Sequence, residues 1–344
     1  MTYSAGSYRF DLEKFFPLSL FERIVELRLY QPELAEQAAA ARRRRAKLAP
    51  DGRLALLAAD HPARGVISVV GNPTALGDRY QYLGRILRAL PALDGIMATS
   101  DVLDELLLLD GWRRERGAAG FLDDKVLLGS GNRGGLAGAS HELDDRLTAT
   151  TPERASALGF DGMKYMIRIE DDDPDAIVTL EYVSQAINRC AELGIPVFLE
   201  SLPMRRENGK LRLDRRAEAV IRAVNIASGL GGSSLNRWLK LPYVDGYESV
   251  ARSTTLPILI LGGESANDPT PFLDQLRRGL CAGPTVRGAL AGRNVLFPGD
   301  DDPYAVAVAV QAVVHEGLTA EEAVTRLEGE RDKGFSRLRE EGTP

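Results

Sequence analysis

Four charged residues end or follow short apolar segments of the sequence, and their side chains suit amine chemistry and proton transfer. The carboxylates are Asp60, in Ala-Ala-Asp-His-Pro, and Glu200, in Phe-Leu-Glu-Ser. The lysines are Lys164, in Gly-Met-Lys-Tyr, and Lys240, in Trp-Leu-Lys-Leu-Pro. A lysine buried beside apolar walls has a lowered pKa, and its neutral amine can attack a carbonyl. A nearby carboxylate can neutralise an ammonium group or carry a proton, so together the four residues predict a catalytic site.

The two lysines are expected to face the same enclosed interior. By the two-residue alternation of a strand, Lys240 shares a face with Trp238 and Pro242. Two interior ammonium groups repel one another, so each lysine makes the other easier to deprotonate. Tyr165 alternates to the face opposite Lys164, so it reaches the site only if the strand ends between them.

Two glycine-containing segments late in the sequence are typical of phosphate sites. Gly262 and Gly263 follow one apolar segment, and Gly292, Arg293 and Asn294 follow another. Glycines let backbone N–H groups approach phosphate oxygens, and an arginine adds positive charge. These segments predict a phosphorylated substrate, although glycines of this kind also form tight turns with no ligand.

Short apolar segments alternate with helical patterns, as in parallel strands joined by crossover helices. We predict strands at Leu54–Asp60, Gly95–Thr99, Lys125–Gly129, Gly162–Ile167, Pro196–Ser201, Trp238–Pro242, Pro257–Leu261 and Val286–Ala291. We predict helices at Arg79–Leu90, Val102–Asp110, Pro152–Leu158, Pro174–Leu193, Arg215–Ser228, Tyr247–Arg252, Asp268–Gly279 and Pro303–His315. Eight alternations favour an α/β fold of the closed (β/α)8 TIM-barrel type, in which active sites form at the carboxyl ends of the strands.

Helices are expected before the barrel domain, which we place at residues 51–317. Residues 1–50 form an N-terminal helical extension with an amphipathic helix at Leu18–Leu29 and a second helix after Pro32. We expect this extension to pack over one end of the barrel. The basic run Arg42–Arg45 is predicted to lie on the solvated face of the second helix.

A further helix is expected after the barrel, within residues 318–344. Thr319 and Glu322 have the spacing of a capping box, which predicts a helix over Leu318–Leu338. This helix is expected to pack on the extension or to form a subunit contact in a homo-oligomer.

Composition excludes several classes of function. The net charge of -6 argues against a nucleic-acid partner, because phosphate-backbone binding needs a concentrated basic face. No apolar run approaches the roughly 18 residues of a membrane span, and the start lacks the pattern of a secretory signal, so we expect a cytoplasmic location. Cys190, Cys281 and the histidines His61, His141 and His315 are scattered, so we expect no disulfide, metal or cofactor.

The residues described above resemble those of the class I aldolases, in the deoxyribose-phosphate, tagatose-bisphosphate and archaeal-type fructose-bisphosphate aldolase superfamily. The resemblance runs from about Leu54 to Gly317. Its most specific segments are Ala59-Asp60-His61, Gly162-Met163-Lys164-Tyr165, Pro196-Val197-Phe198-Leu199-Glu200, Leu239-Lys240, Gly262-Gly263 and Gly292-Arg293-Asn294. The resemblance implies a Schiff base on Lys240, with Lys164 and Glu200 as supporting polar residues. Glu200, Tyr165 and Asp60 remain alternative general bases.

The sequence also departs from the named aldolases, which indicates a different substrate. Pro62 follows His61, where the fructose-bisphosphate type usually has glycine, and the tagatose type has glutamine in place of the histidine. Beside His61, we expect Asn132 and Arg133 to contact a carboxylate or hydroxyls of the substrate. The chain is also similar to a barrel protein found with bacterial inositol-catabolism enzymes, which suggests 5-dehydro-2-deoxy-phosphogluconate as a substrate.

The predicted function is therefore a lyase that cleaves or forms a carbon–carbon bond in a phosphorylated keto sugar or keto sugar acid. One alternative is an isomerase or epimerase that uses Glu200 and Asp60 for proton transfer, with the lysines neutralising an enolate. A metal-dependent aldolase is a second alternative, although three dispersed histidines supply its usual ligands poorly. A barrel that binds a sugar phosphate without turnover is the third.

Overall fold

A closed barrel of parallel strands forms the centre of the computed structural model, which describes residues 3–334. The eight barrel strands in this range are β1 Leu54–Ala59, β2 Gly95–Ala98, β3 Val126–Ser130, β4 Gly162–Ile169, β5 Val197–Glu207, β7 Arg237–Pro242, β8 Ile258–Leu261 and β9 Val286–Ala291. Pairing of β4 with β5, and of β1 with β9, closes the ring. The predicted TIM barrel is confirmed, with strand bounds close to those expected from the sequence.

A compact apolar cluster fills the inside of the barrel. Beyond it, at the carboxyl end of the strands, the inward-facing residues are polar. On β1, Leu54, Leu56 and Ala58 belong to this cluster, and the same alternation brings Asp60 to the inner face. Phe198 and Trp238 stack inside the barrel with ring centroids 5.8 Å apart. Two residues beyond each of these aromatic side chains, the strands present Glu200 and Lys240, respectively, to the interior.

Helices surround the barrel and bury a larger apolar layer against the outer face of the sheet. The α-helices within residues 3–334 are α1 Leu12–Phe15, α2 Leu18–Tyr30, α3 Leu34–Ala41, α4 Arg79–Ala89, α5 Ser100–Glu115, α6 Pro152–Ala157, α7 Asp175–Glu192, α8 Ala217–Gly229, α9 Tyr247–Arg252, α10 Thr270–Cys281, α11 Arg293–Leu296, α12 Pro303–Gln311 and α13 Ala320–Glu330. None of the helices in that range is long and apolar enough to cross a bilayer.

The C-terminal helix begins as predicted. Thr319 and Glu322 form a capping box at the start of α13, in which the Thr319 side chain accepts from the Glu322 N–H and Glu322 accepts from the Thr319 N–H. The helix ends at Glu330, earlier than expected, and residues 335–338 of the predicted helix lie outside the described residues.

The prediction for the N-terminal extension is wrong in two respects. Its helices pack beside the barrel, against α4 and α5, rather than over one end. The basic run Arg42–Arg45 is not on a solvated helix, because α3 ends at Ala41. Arg42 is buried and lies 3.1 Å from Asp161, and Arg45 lies 2.9 Å from Asp94, so these arginines bind the chain to the amino end of the barrel.

A β-hairpin projects from the carboxyl end of the barrel and was not predicted. Strand β5 continues past Ser201 to Glu207 and pairs in antiparallel fashion with β6, Lys210–Leu213. The two turn residues, Asn208 and Gly209, have φ values of 51° and 77°, as a type I′ turn requires.

Candidate active site

Glu200 lies between two buried lysine side chains at the carboxyl end of the barrel. Its Oε1 is 2.9 Å from Lys240 Nζ, and its Oε2 is 2.5 Å from Lys164 Nζ. Lys240 is 5% exposed and Lys164 is 1% exposed. Glu200 is directly opposite Lys240 in the pairing of β5 with β7, whereas Lys164 on β4 is opposite Phe198, two residues deeper in the barrel. Three adjacent strands thus bring these three predicted residues into contact.

Asp60 is held by three hydrogen-bond donors and links the lysine cluster to the loop after β3. Its Oδ2 lies 3.1 Å from Lys164 Nζ, accepts from Ser130 Oγ at 3.2 Å, and accepts from the Arg133 guanidinium. Arg133 also donates to Ser130 Oγ at 3.0 Å. All three donors bind the same oxygen, so Asp60 is fixed in position beside Lys164 and Arg133.

Burial and neighbouring charges set the ionisation of the central cluster. Burial lowers the pKa of Lys240, and the charges of Arg133 and Arg293 act in the same direction, while Glu200 opposes them. Burial also lowers the pKa of Lys164 well below its ordinary range. For Glu200, burial alone would raise the pKa, but the two lysines outweigh it and hold the pKa well below its usual value. The cluster therefore keeps an ionised carboxylate beside amines that deprotonate readily.

His61 presents an unpaired imidazole nitrogen next to this cluster. Burial lowers the pKa of His61 well below its ordinary value, and the charges of Arg293 and Lys240 lower it further. Its Nδ1 is buried and has no hydrogen-bond partner within residues 3–334. A neutral imidazole with a free nitrogen is suited to a hydrogen bond with a substrate hydroxyl.

A cavity of about 580 Å³ opens at the carboxyl end of the barrel and collects most of the predicted site residues. Lys240 lies in its wall rather than in bulk solvent, as an imine-forming lysine requires. The predicted residues that line the cavity are Asp60, His61, Arg133, Lys164, Glu200, Lys240, Gly262, Gly263, Gly292 and Arg293.

The glycine segments after β8 and β9 form one wall of the cavity. Gly263 has a φ of 69°, which favours glycine, and a Cβ at Gly292 would lie 2.4 Å from the carbonyl oxygen of Ala58. Arg293 pairs only loosely with Glu264, at 3.8 Å, and its buried Nε has no hydrogen-bond partner in the described part of the chain. Gly292 is therefore needed for packing against β1, whereas Gly263 leaves open space in a wall whose arginine retains free donors.

Tyr165 does not reach the cavity, which corrects its candidacy as the general base. Strand β4 continues beyond it to Ile169, so the alternation holds and the side chain lies between the barrel and α7. Its hydroxyl is 3.6 Å from Cys190 Sγ, and burial raises its pKa.

Asn132 also lies outside the cavity and has a structural position instead of the expected contact with substrate. Its side chain accepts from the Met166 N–H at 2.8 Å and donates to the Met166 carbonyl at 2.6 Å. It donates a further hydrogen bond to the Asp145 carbonyl at 3.2 Å. These bonds pin the loop after β3 to β4 and thereby position the neighbouring Arg133.

Several residues of the site were missed in the sequence. Ser130 contacts Asp60, and its place directly after a predicted strand was an available signal. Arg64, Arg205 and Arg212 line the cavity. Arg205 and Arg212 come from the unpredicted hairpin, whose signal was the Asn-Gly pair at its turn.

Comparisons with known proteins agree with this architecture. The model of the Cgl0159-like family matches residues 52–314. The crystal structure of Cgl0159 from Corynebacterium glutamicum is similar, with a TM-score of 0.80 and 39% identity over 88% of this chain and 98% of that chain. The 2-amino-3,7-dideoxy-D-threo-hept-6-ulosonate synthase 1 of Archaeoglobus fulgidus is 25% identical over 288 residues, which cover 82% of this chain and 94% of that protein.

A more distant structure shares the fold. A Schiff base-forming fructose-1,6-bisphosphate aldolase is 20% identical, covers 82% of this chain and 100% of its own, and has a TM-score of 0.54. The predicted resemblance to these aldolase barrels is thus confirmed at the level of the fold. The model of the Cgl0159-like family matches well over half of the residues of this chain, so the chain belongs to that family.

Proposed function

We propose that this chain is a class I aldolase that forms a Schiff base on Lys240 with a phosphorylated keto sugar or keto sugar acid. The observation that carries the proposal is the position of Lys240 Nζ, buried in the cavity wall and 2.9 Å from the Glu200 carboxylate. The Archaeoglobus fulgidus relative is named as the synthase of a hept-6-ulosonate, which supports a keto sugar acid as substrate or product.

The first half of the reaction forms the imine. The neutral amine of Lys240 adds to the substrate ketone, and the carbinolamine loses water to leave a positively charged iminium. Glu200 is placed to take the proton from the attacking amine because its Oε1 contacts Lys240. Lys164, held by Glu200 and Asp60, is placed to donate a hydrogen bond to an oxygen atom of the substrate.

The second half breaks the carbon–carbon bond. A base removes the proton from the hydroxyl on the departing carbon, and the electrons of the broken bond move to the iminium nitrogen to give an enamine. We favour Glu200 as this base because it contacts Lys240 directly, whereas Tyr165 faces α7 and Asp60 contacts the other lysine. Protonation of the enamine carbon and hydrolysis of the imine then release the second product.

The phosphate of the substrate is assigned to the wall formed by Gly262, Gly263, Gly292 and Arg293. Free donors on Arg293 and the open space at Gly263 support this assignment. Held there, the substrate would present its ketone to Lys240 in attack geometry. Among substrates of this class we propose 5-dehydro-2-deoxy-phosphogluconate, a keto acid phosphate, as the first to assay.

The variant Lys240→Ala tests the proposal. We expect it to abolish cleavage of phosphorylated keto sugars and keto acids, measured as release of triose phosphate, because the other cavity amine, Lys164, lies deeper in the barrel and is held by two carboxylates. Lys164→Met is the matched control, which should slow turnover without removing imine formation. Unchanged circular dichroism would show that the fold is intact. Cleavage that survives in Lys240→Ala, or that EDTA removes from the wild-type enzyme, would contradict the proposal.

A further inference from the structure

The lining of the cavity has more cationic than anionic side chains. Nine lysines and arginines line it against five aspartates and glutamates, an excess of four positive charges, although the whole chain has a net charge of -6. With Lys240 and Lys164 both neutral, the excess is two. A phosphate contributes about -1.5 to -2 at neutral pH, but at the glycine wall it lies on one side of the cavity and leaves the arginines of the other side uncompensated.

The surplus charge extends to the side of the cavity opposite the glycine wall. Arg64 lies over β4 and the loop after β3, where its Nε donates to the Gly135 carbonyl at 3.1 Å and its guanidinium lies 3.4 Å from Met166 Sδ. The glycine wall follows β8 and β9, which are across the ring from β3 and β4. Arg64 and the glycine wall are therefore on opposite sides of the cavity.

Arg64 is incompletely neutralised. Its nearest carboxylate, Glu142, is 3.5 Å away and lies closer to Arg168, at 2.6 Å. One carboxylate is thus shared between two guanidinium groups, and Arg64 has the weaker contact. Since its side chain lines the cavity and is only 14% exposed, it can direct its remaining donors at a bound anion.

The hairpin adds two arginines to the same side of the cavity. Arg205 on β5 and Arg212 on β6 are directly opposite each other and share one face of the hairpin. Like charges at opposed positions are destabilising in a sheet unless an anion lies between or beside them. Arg205 has Glu207 at 2.7 Å, but no group in residues 3–334 pairs with Arg212. Both arginines line the cavity.

The other face of the hairpin contacts the segment that follows β4. Arg206, between two cavity-lining positions, forms an ion pair with Asp173 and lies 4.0 Å from Glu170, both of which follow β4. This attachment fixes the hairpin over the side of the cavity that also holds Arg64.

We propose that Arg64, Arg205 and Arg212 form a second anion subsite that binds the end of the keto substrate distal to its phosphate. The enzyme then takes a doubly anionic substrate that spans the cavity, with the ketone at Lys240 between its two charged ends. The second group is a carboxylate or a phosphate, which share the bidentate chemistry of guanidinium binding. This inference rests on the proposed function for the identity of the keto substrate, but the subsite can be tested by binding alone.

The test is calorimetric binding in the Lys240→Ala background, where no imine forms. The probes are fructose 1-phosphate, with a neutral far end, fructose 1,6-bisphosphate, with a second phosphate, and 5-dehydro-2-deoxy-6-phosphogluconate, with a carboxylate. We expect one doubly anionic probe to bind about tenfold more tightly than fructose 1-phosphate, since charge-assisted bonds are each worth this much. The pair of substitutions Arg205→Gln and Arg212→Gln should remove that advantage and change fructose 1-phosphate affinity less than about twofold.

Lys210→Gln is the matched control, because Lys210 lies on the same hairpin and outside the cavity. It removes one charge and should leave all three affinities within about twofold. The proposal is overturned if no doubly anionic probe has an advantage, if the arginine variant weakens all three probes equally, or if Lys210→Gln has the same effect. Absence of cleavage by the Lys240-containing enzyme would reject the proposed aldolase activity and leave the binding result to decide the subsite.

Discussion

At the scale of single residues, one carboxylate controls the two amines of the site. Glu200 contacts Lys240 and Lys164 within 3 Å, and it is ionised because both lysines lower its pKa. The charge of Glu200 in turn raises the pKa of Lys240, but burial lowers it by more, so the net shift is downward. Glu200 therefore does more than transfer protons, because it sets the pH at which the neutral amine becomes available.

The variant Glu200→Gln separates these two roles. Removing the negative charge lowers the pKa of Lys240 further, so the acid limb of the kcat/KM profile should move to lower pH. The maximal rate should fall about 100-fold, because the proton carrier is lost. Steady-state assays across the pH range measure both effects, and Glu181→Gln on the exposed face of α7 is the control. An acid limb that stays in place or moves to higher pH would show that Glu200 does not set the lysine pKa.

Sequence reasoning at this scale succeeded where strand alternation decides the direction of a side chain. Asp60, Glu200 and Lys240 each follow apolar residues of the inner cluster by two positions, so their inward direction was predictable. The same alternation predicted that Tyr165 faces the helices, where it is found. The bonds of Asn132 to a neighbouring strand depend on how a long loop folds back, and no local pattern indicates them.

At the scale of elements, contacts between distant segments close the amino end of the barrel. His315, in the turn after α12, lies 2.6 Å from Asp51 and 2.8 Å from Asp94 through its two ring nitrogens. The hydrogen bond to Asp94 raises the pKa of His315, burial opposes the shift, and Asp51 adds to it. Burial alone would raise the pKa of Asp94, but bonds from His315, the Ala55 N–H and Arg45 hold it at about 2.

This cluster predicts a pH-dependent stability. Folding raises the pKa of His315 above its value of 6.5 in the unfolded chain. The protonated histidine therefore stabilises the protein fully below pH 6.5, and this stabilisation is lost as the pH rises through the higher pKa of the folded state. His315→Gln should therefore lower the thermal midpoint by about 2 °C or more at pH 6, and by less at pH 9. Calorimetric scans of both proteins measure the difference. His141→Gln, at an exposed histidine, is the control, and a larger gap at pH 9 would reverse the expected sign.

The apolar strands of the barrel were predictable from the sequence, whereas the segments rich in charged residues were not. The barrel strands are short apolar runs whose pattern stands out from the flanking helices. Strand β6, with its sequence Lys-Leu-Arg-Leu, is half exposed, and it continues a charged part of β5 that packs on no core. The run Arg42–Arg45 resembled a solvated helix face because its partners are distant in sequence, with Asp94 49 residues from Arg45 and Asp161 119 residues from Arg42.

At the scale of the whole molecule, charge is segregated. The chain is acidic overall, yet the cavity at the carboxyl end of the barrel has an excess of cationic side chains. The net charge of the sequence conceals this local excess, because the contributing residues come from several different strands and from the loops that follow them. Such a cavity concentrates anionic ligands near Lys240 and lowers the pKa of that lysine.

The most direct measurement is reduction with borohydride in the presence of dihydroxyacetone phosphate, followed by peptide mass mapping. A Schiff base is reduced to a stable secondary amine, so the enzyme should gain the mass of the reduced ligand irreversibly at Lys240, and Lys240→Ala should gain none. Label only on Lys164 would exchange the roles of the two lysines. Absence of label in a protein that still turns over its substrate would contradict the Schiff-base account.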